Sequence, residues 1–213
     1  MRIGNFSRGG AERTIEAKKA LDHDYSAKAL LVPFGILDVL KDQLWIYLGQ
    51  SKETSDFIVD CLEMWWDENY CSYGELEELM IELDGGSAIR SNRTQFIKRM
   101  VEFSRQSNLK IRLTYYPPYH SKYNTIERCW ACLENYWNGA ILDSIETAIA
   151  WSKNMTWNGV KPIVKLVEKT YQKGIVPSQE ELELSQEYWH PSPELSSWDV
   201  TIMPSISVKA SHQ

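Results

Sequence analysis

No run of about 18 uninterrupted apolar residues occurs in these 213 residues, so no membrane-spanning helix is expected. The N-terminus, Met1-Arg2-Ile3-Gly4-Asn5-Phe6-Ser7, lacks the apolar stretch of a secretory signal. A cytoplasmic location with no membrane partner is the expectation. Cysteine is scarce, with four residues. Cys129 and Cys132 form a CxxC, but a zinc site needs a second ligand pair, and Cys61 and Cys71 lack that spacing. The CxxC lies in an aromatic helical stretch and reads as a pair of buried or half-buried thiols without chemistry. Internal repeats are absent. So is an overall positive charge: the net value of −6 excludes a globally basic nucleic-acid binder.

What is present is core-forming material, 43% hydrophobic and 12% aromatic. The length suits one good-sized domain plus an appendage. Charge is also unevenly placed. From Ala88 to Arg128 nine basic side chains face only Glu102 and Glu127, a local excess of seven that leaves −13 for the rest. Such a segment is either a solvated helix face or a phosphate-binding surface.

The periodicity predicts a strand over 30–39, a turn, and its hairpin partner over 44–48. Ser51 offers an N-cap to a helix with Ile58, Cys61, Leu62 and Trp65 on one face. A short buried strand, Leu79 to Asp84, runs into Gly85-Gly86. Ser91 caps a second helix that buries Phe96, Ile97, Met100 and Val101. Leu109, Ile111, Leu113 and Tyr115 alternate with polar residues as a further strand. After Pro117-Pro118, helices are predicted over Asn124–Trp137 and Ser144–Trp151. Pro162 opens another to about Gln172, and 175–213 reads as an extended or partly disordered acidic, proline-containing tail. The order is that of an α/β domain with an antiparallel hairpin. The expected division is a core over 1–160 and a C-terminal segment over 161–213.

Two carboxylates stand out by position. Asp84 ends a strand, where ligands of open α/β sheets gather; it also suits a tight turn. Glu127 lies three residues after Asn124 in a first helical turn, so a capping box would explain it as well. Two acids by themselves would also suit a glycoside hydrolase.

The segment Tyr115-Tyr116-Pro117-Pro118-Tyr119-His120-Ser121-Lys122-Tyr123-Asn124-Thr125-Ile126-Glu127-Arg128-Cys129-Trp130 resembles the last catalytic block of DDE transposases, a strand, a proline loop and an Asn-Pro-Ile-Glu-Arg-x-Trp helix start. Ile81-Glu82-Leu83-Asp84-Gly85-Gly86 resembles the block of the second Asp. Phe6-Ser7-Arg8-Gly9-Gly10, Ala20-Leu21-Asp22-His23-Asp24, Val32 to Val39 and Ser51 to Phe57 narrow the resemblance to the Rhodopirellula-type transposase DDE domain of ISAzo-type insertion sequences. It runs from about Ile3 to Trp198.

The resemblance implies a ribonuclease-H-like mixed sheet flanked by helices, with three acids holding two Mg²⁺ ions (Mn²⁺ a possible substitute). It implies DNA cleavage followed by 3′-OH strand transfer during DNA transposition. Asp84 and Glu127 take the places of the second Asp and the final Glu, as catalytic and metal-binding residues. Arg90, Arg93, Lys98, His120, Lys122, Asn124 and Arg128 are the expected DNA contacts. Transposon ends and target DNA are the expected partners, with a homo-oligomer or an intact transposase possible.

The family's first Asp lies on a central strand upstream of the Ser7-Arg8-Gly9-Gly10 block. The residues before that block contain no acid, so the match is expected to be N-terminally truncated, lacking the first central strand and impaired in catalysis. Asp22, Asp24 and Asp38 are possible substitutes, none at the family's position. The hairpin and the 79–83 strand are then expected to carry unpaired edges. The family also reads Asp-Asn-Gly-Pro where this chain has Asp84-Gly85-Gly86-Ser87, and Pro in place of Thr125. The alternative class is a non-catalytic DNA-binding or transposase-pairing remnant.

Overall fold

A computed structural model describes residues 1–4, 29–117, 120 and 123–205. The Phe6–Gly10 and Ala20–Asp24 blocks, with Asp22 and Asp24, lie outside the described residues, as does Lys122. The chain forms two compact units, residues 1–53 with 125–171 and residues 54–124 with 172–213. The fold is mixed α/β. No helix among the described residues is long and apolar enough to cross a membrane.

In the first unit, β1 (Arg2–Ile3) pairs antiparallel with β2 (Ala29–Leu30). The predicted hairpin is β3 (Val32–Asp38) and β4 (Gln43–Gly49), in register from Val32 opposite Gly49 to Asp38 opposite Gln43. Asp38 makes the turn: its Oδ1 accepts from the backbone N–H of Leu40 at 2.9 Å and of Lys41 at 3.2 Å. This possible substitute for the first acid is therefore a turn residue. β7 (Ile163–Val167) adds parallel to β4, Trp45 opposite Ile163. As the middle strand, β4 is buried on both faces from Leu44 to Leu48, which accounts for its unbroken apolar sequence. Leu44, Ile46 and Leu48 share a core with Cys129, Leu133 and Trp137 of α3 (Thr125–Trp137) and with Ala148 of α4 (Ile145–Asn154). Ser144 caps α4, accepting from Thr147 N–H at 3.1 Å.

The second unit holds a four-stranded sheet in the order β5 (Glu78–Leu83), β6 (Lys110–Tyr115), β9 (Asp199–Ile202), β8 (Trp189–Pro191). β5 and β6 are parallel and the other pairs antiparallel. Helices α1 (Ser55–Asn69), α2 (Thr94–Ser107) and α5 (Gln179–Gln186) complete it. Phe57, Phe96, Met100, Phe103, Ile111, Leu113, Val200 and Ile202 are buried there.

Several expectations need correction. Residues 162–172 are not a helix: Ile163, Val164 and Val167 make β7, because β-branched residues suit a strand with a neighbour to pair with. The segment after 175 is not an extended tail, since it supplies α5, β8 and β9. The cap of α1 is Thr54, whose hydroxyl accepts from Phe57 N–H at 3.2 Å; Ser51 instead accepts from Tyr171 N–H at 2.9 Å. Arg93, not Ser91, precedes α2, and Ser91 Oγ donates to the Ser197 carbonyl at 3.2 Å. β5 is half-exposed rather than buried, with Met80 55% exposed, because among the described residues it pairs on one side only. β3 is likewise paired on one side. Within the CxxC, Cys129 is buried but Cys132 is exposed.

Candidate active site and nucleic-acid interface

Asp84 follows β5 in the second unit and its side chain is exposed. Its Oδ1 accepts from Gly86 N–H at 3.0 Å, so the expected tight turn is formed. Gly85 sits at φ +74°, in the left-handed region. Glycine reaches it at no steric cost and asparagine tolerates it. Asn-Gly and Gly85-Gly86 therefore meet one backbone demand, which accounts for this departure from the resembled pattern. The loop after Gly86 is pinned by two buried hydrogen bonds, Ser55 Oγ to the Ala88 carbonyl at 2.6 Å and Tyr115 OH to the Ile89 carbonyl at 2.9 Å. Burial pushes the Tyr115 phenol well above its ordinary range.

Tyr116 continues this rim. Its N–H donates to the Leu83 carbonyl at 2.9 Å, and its hydroxyl donates to Glu82. Burial first, and the Glu82 contact second, push its pKa up to about 12. Sequence reasoning assigns neither tyrosine a role; the available signal is an aromatic pair ending a strand just before Pro117.

Glu127 lies in the first unit, half-buried on the first turn of α3. It makes no hydrogen bond or ion pair among the described residues. The capping-box role is thus not taken by Glu127, although the chain has a true box at α5. There Ser178 Oγ accepts from Glu181 N–H at 3.2 Å, and Ser178 N–H donates back to Glu181 at 2.8 Å.

The basic segment divides by engagement. Lys98 donates to Glu181 at 2.7 Å, with Glu102 at 3.8 Å. Arg99 donates to Asp60 at 2.8 Å and Glu63 at 3.0 Å, joining α2 to α1. Lys110 pairs with Glu78 at 2.5 Å across β5 and β6, and Arg112 holds Asp199 through two bonds of 3.0 and 2.7 Å. Lys98, an expected DNA contact, is therefore a link between α2 and α5. Arg90 and Arg93 are exposed and make no ion pair among the described residues. His120 is exposed and stacks on Tyr123, with centroids 5.9 Å apart; Asn124 is buried. Arg128 is exposed in the first unit.

Among the described residues no group of three or more His, Cys, Asp or Glu side chains could together hold a metal. Asp84 and Glu127 are nonetheless hard oxygen donors, and Mg²⁺ is commonly held by one or two carboxylates, with waters and substrate phosphates completing its shell.

The mixed α/β architecture accords with a DDE transposase domain. The chain matches the Rhodopirellula transposase DDE domain over residues 1–204, and it belongs to that family. No curated protein and no solved structure matches it.

Proposed function

We propose that this chain carries catalytic residues for Mg²⁺-dependent DNA strand cleavage and 3′-OH strand transfer, in a ribonuclease-H-like fold. Asp84 and Glu127 are each proposed as metal ligands. Magnesium at such a site activates the attacking hydroxyl and neutralises charge on the reacting phosphate.

Position supports the reading: Asp84 follows a parallel strand and Glu127 lies on a first helical turn, in a chain of the DDE transposase family. Asp38, Asp42, Asp60, Glu63, Glu181 and Asp199 accept hydrogen bonds that hold turns, helices or strands. Glu127 has no such duty among the described residues, and Asp84 is held through one oxygen by its own turn. Glu146 and Glu180 are first-turn acids too, and exposed, so what sets Asp84 and Glu127 apart is the resemblance of their sequence blocks to the transposase pattern.

The chain's own residues then divide the work. Gly85 lets the backbone turn so that Asp84 is fixed by Gly86 N–H. Tyr115 and Ser55 hold the adjoining loop, which carries Arg90 and Arg93 on its exposed side to contact phosphates. His120, Lys122 and Arg128 extend the DNA contacts, whereas Asn124, expected among them, is buried. Lys98, with its carboxylate partner, contributes least.

Mn²⁺ binding followed by electron paramagnetic resonance tests the metal site. The wild type should take up the ion, with Asp84→Ala and Glu127→Gln each weakening uptake. Equal uptake by all three proteins would sink the assignment. A nicking assay on DNA containing the element ends tests turnover: Mg²⁺-dependent cleavage abolished by Asp84→Ala would uphold the site, and cleavage unchanged in that variant would overturn it.

A further inference from the structure

We infer that a groove in the first unit, between the β3–β4 turn, the first turn of α3 and the Trp157–Val160 turn, binds one nucleotide of a DNA strand whose base has left its stack. The inference rests on the DNA-handling function proposed above and names a subsite for it.

The groove has a volume of about 380 Å³ and is lined by Leu37, Val39, Asp42, Thr125, Arg128, Trp157 and Asn158. That size is within the roughly 300–1,000 Å³ range of small-molecule sites. One wall is apolar: Leu37, and Val39, which is 72% exposed at the hairpin end. The indole of Trp157 is held in place, its Nε1 donating to Asp42 Oδ1 at 2.8 Å. Asn158 Nδ2 donates to Asp42 Oδ2 at 2.8 Å. Trp157 and Val160 exchange both backbone hydrogen bonds at 2.8 Å, closing a tight turn through Asn158 (φ +46°) and Gly159 (φ +82°).

The charges assign an orientation. Asp42 would repel a phosphate, so the phosphate belongs at the mouth, where Arg128 is exposed. Its Nη2 has only the Thr125 hydroxyl, 3.3 Å away, and it forms no ion pair among the described residues. This differs from Lys98, Arg99 and Arg112, whose carboxylate partners are in place. A guanidinium suits phosphate oxygens. The base then faces Asp42. A carboxylate offers about four lone-pair positions, and two are used here, leaving room to accept from an exocyclic amine. Cytosine and adenine carry one; thymine does not. The Leu37–Val39 wall and the indole supply apolar surface for the base faces, as in sites that take single strands.

The test uses the whole chain without metal, with its indole N–H groups observed by ¹⁵N NMR and Trp157 identified through Trp157→Phe. Titration with d(CCCCCC) should move the Trp157 signal progressively, and d(TTTTTT) should move it less. Arg128→Gln should weaken the response about tenfold, the scale of a missing charge-assisted hydrogen bond. Val39→Ser should weaken it a few-fold; this residue is too exposed for the change to unfold the unit. A hexamer that binds without moving Trp157, or that binds both variants as well as wild type, overturns the pocket while leaving DNA binding intact. A response to dCMP but not to the hexamer overturns the strand-borne source. If neither hexamer nor duplex DNA binds at all, the pocket and the DNA-handling function fall together.

Discussion

The indole of Trp130 occupies the space where a β-carbon on Gly35 would stand. A methyl group there would lie 2.7 Å from Trp130 Cζ2 and 2.9 Å from Cη2, with Ile126 Cδ1 at 3.0 Å. Helix α3 can therefore lie against β3 only over a glycine, and this approach places the first turn that carries Glu127.

Gly35→Ala should destabilise the first unit by about 1–3 kcal/mol, the usual cost of overpacking. Urea unfolding measures it. Trp130→Phe removes the atoms that clash, so the double variant should be more stable than the sum of the single effects implies. Strict additivity would show that the close approach is not the cause.

At Gly85 the strain is in the backbone. A β-carbon there would meet only Tyr115 Cδ1, at 3.9 Å, so space is available, but φ is +74°. Gly85→Ala should cost about 1–2 kcal/mol, and Gly85→Asn distinctly less. Thermal melts of both variants check the order; equal losses would argue against the left-handed conformation.

Arg90→Gln and Arg93→Gln should leave stability unchanged and reduce the salt dependence of DNA affinity. The log–log slope should fall by about 0.7–0.9 for each phosphate that is no longer neutralised. Lys98→Gln should do the reverse, loosening α5 from α2 with little change in slope. Affinities measured across a salt series, beside denaturation curves, separate the two. An equal slope change for Lys98→Gln would restore it to the DNA surface.

The Arg112 guanidinium holds the Asp199 carboxyl below its ordinary range, and Lys98 does the same for Glu181, helped by the backbone N–H of Ser178. A depressed carboxylate stabilises the fold above its unfolded pKa, and that contribution disappears as pH falls through the folded value. With ordinary values near 4, the second unit should lose stability as pH drops below about 4. Arg112→Gln should flatten part of this loss. Stability curves from pH 7 to pH 2 provide the measurement; an unchanged acid limb in Arg112→Gln would remove the pair from the account.

Local patterns are legible where their partners are near. The β3–β4 hairpin, the α3 stripe through Leu133 and Trp137, and the Ser144 cap are set by residues within a few positions of one another. Ile163–Val167 reads as helix in the sequence because Pro162 resembles a helix start. Its strand state comes from pairing with β4, which is 118 residues earlier at Trp45 and Ile163. β9 likewise exists through β6, and Arg112 meets Asp199 across 87 positions.

Sequence alone therefore determined the family and marked Asp84 and Glu127 as the candidate acids. These are matters of residue type at fixed spacing. Tertiary structure decided which charges remain available. Lys98, Arg99, Lys110 and Arg112 found carboxylates on other elements, whereas Glu127 and Arg128 found no ion-pair partner among the described residues. Charge is a property of each residue, but its engagement depends on which elements the fold brings within about 4 Å.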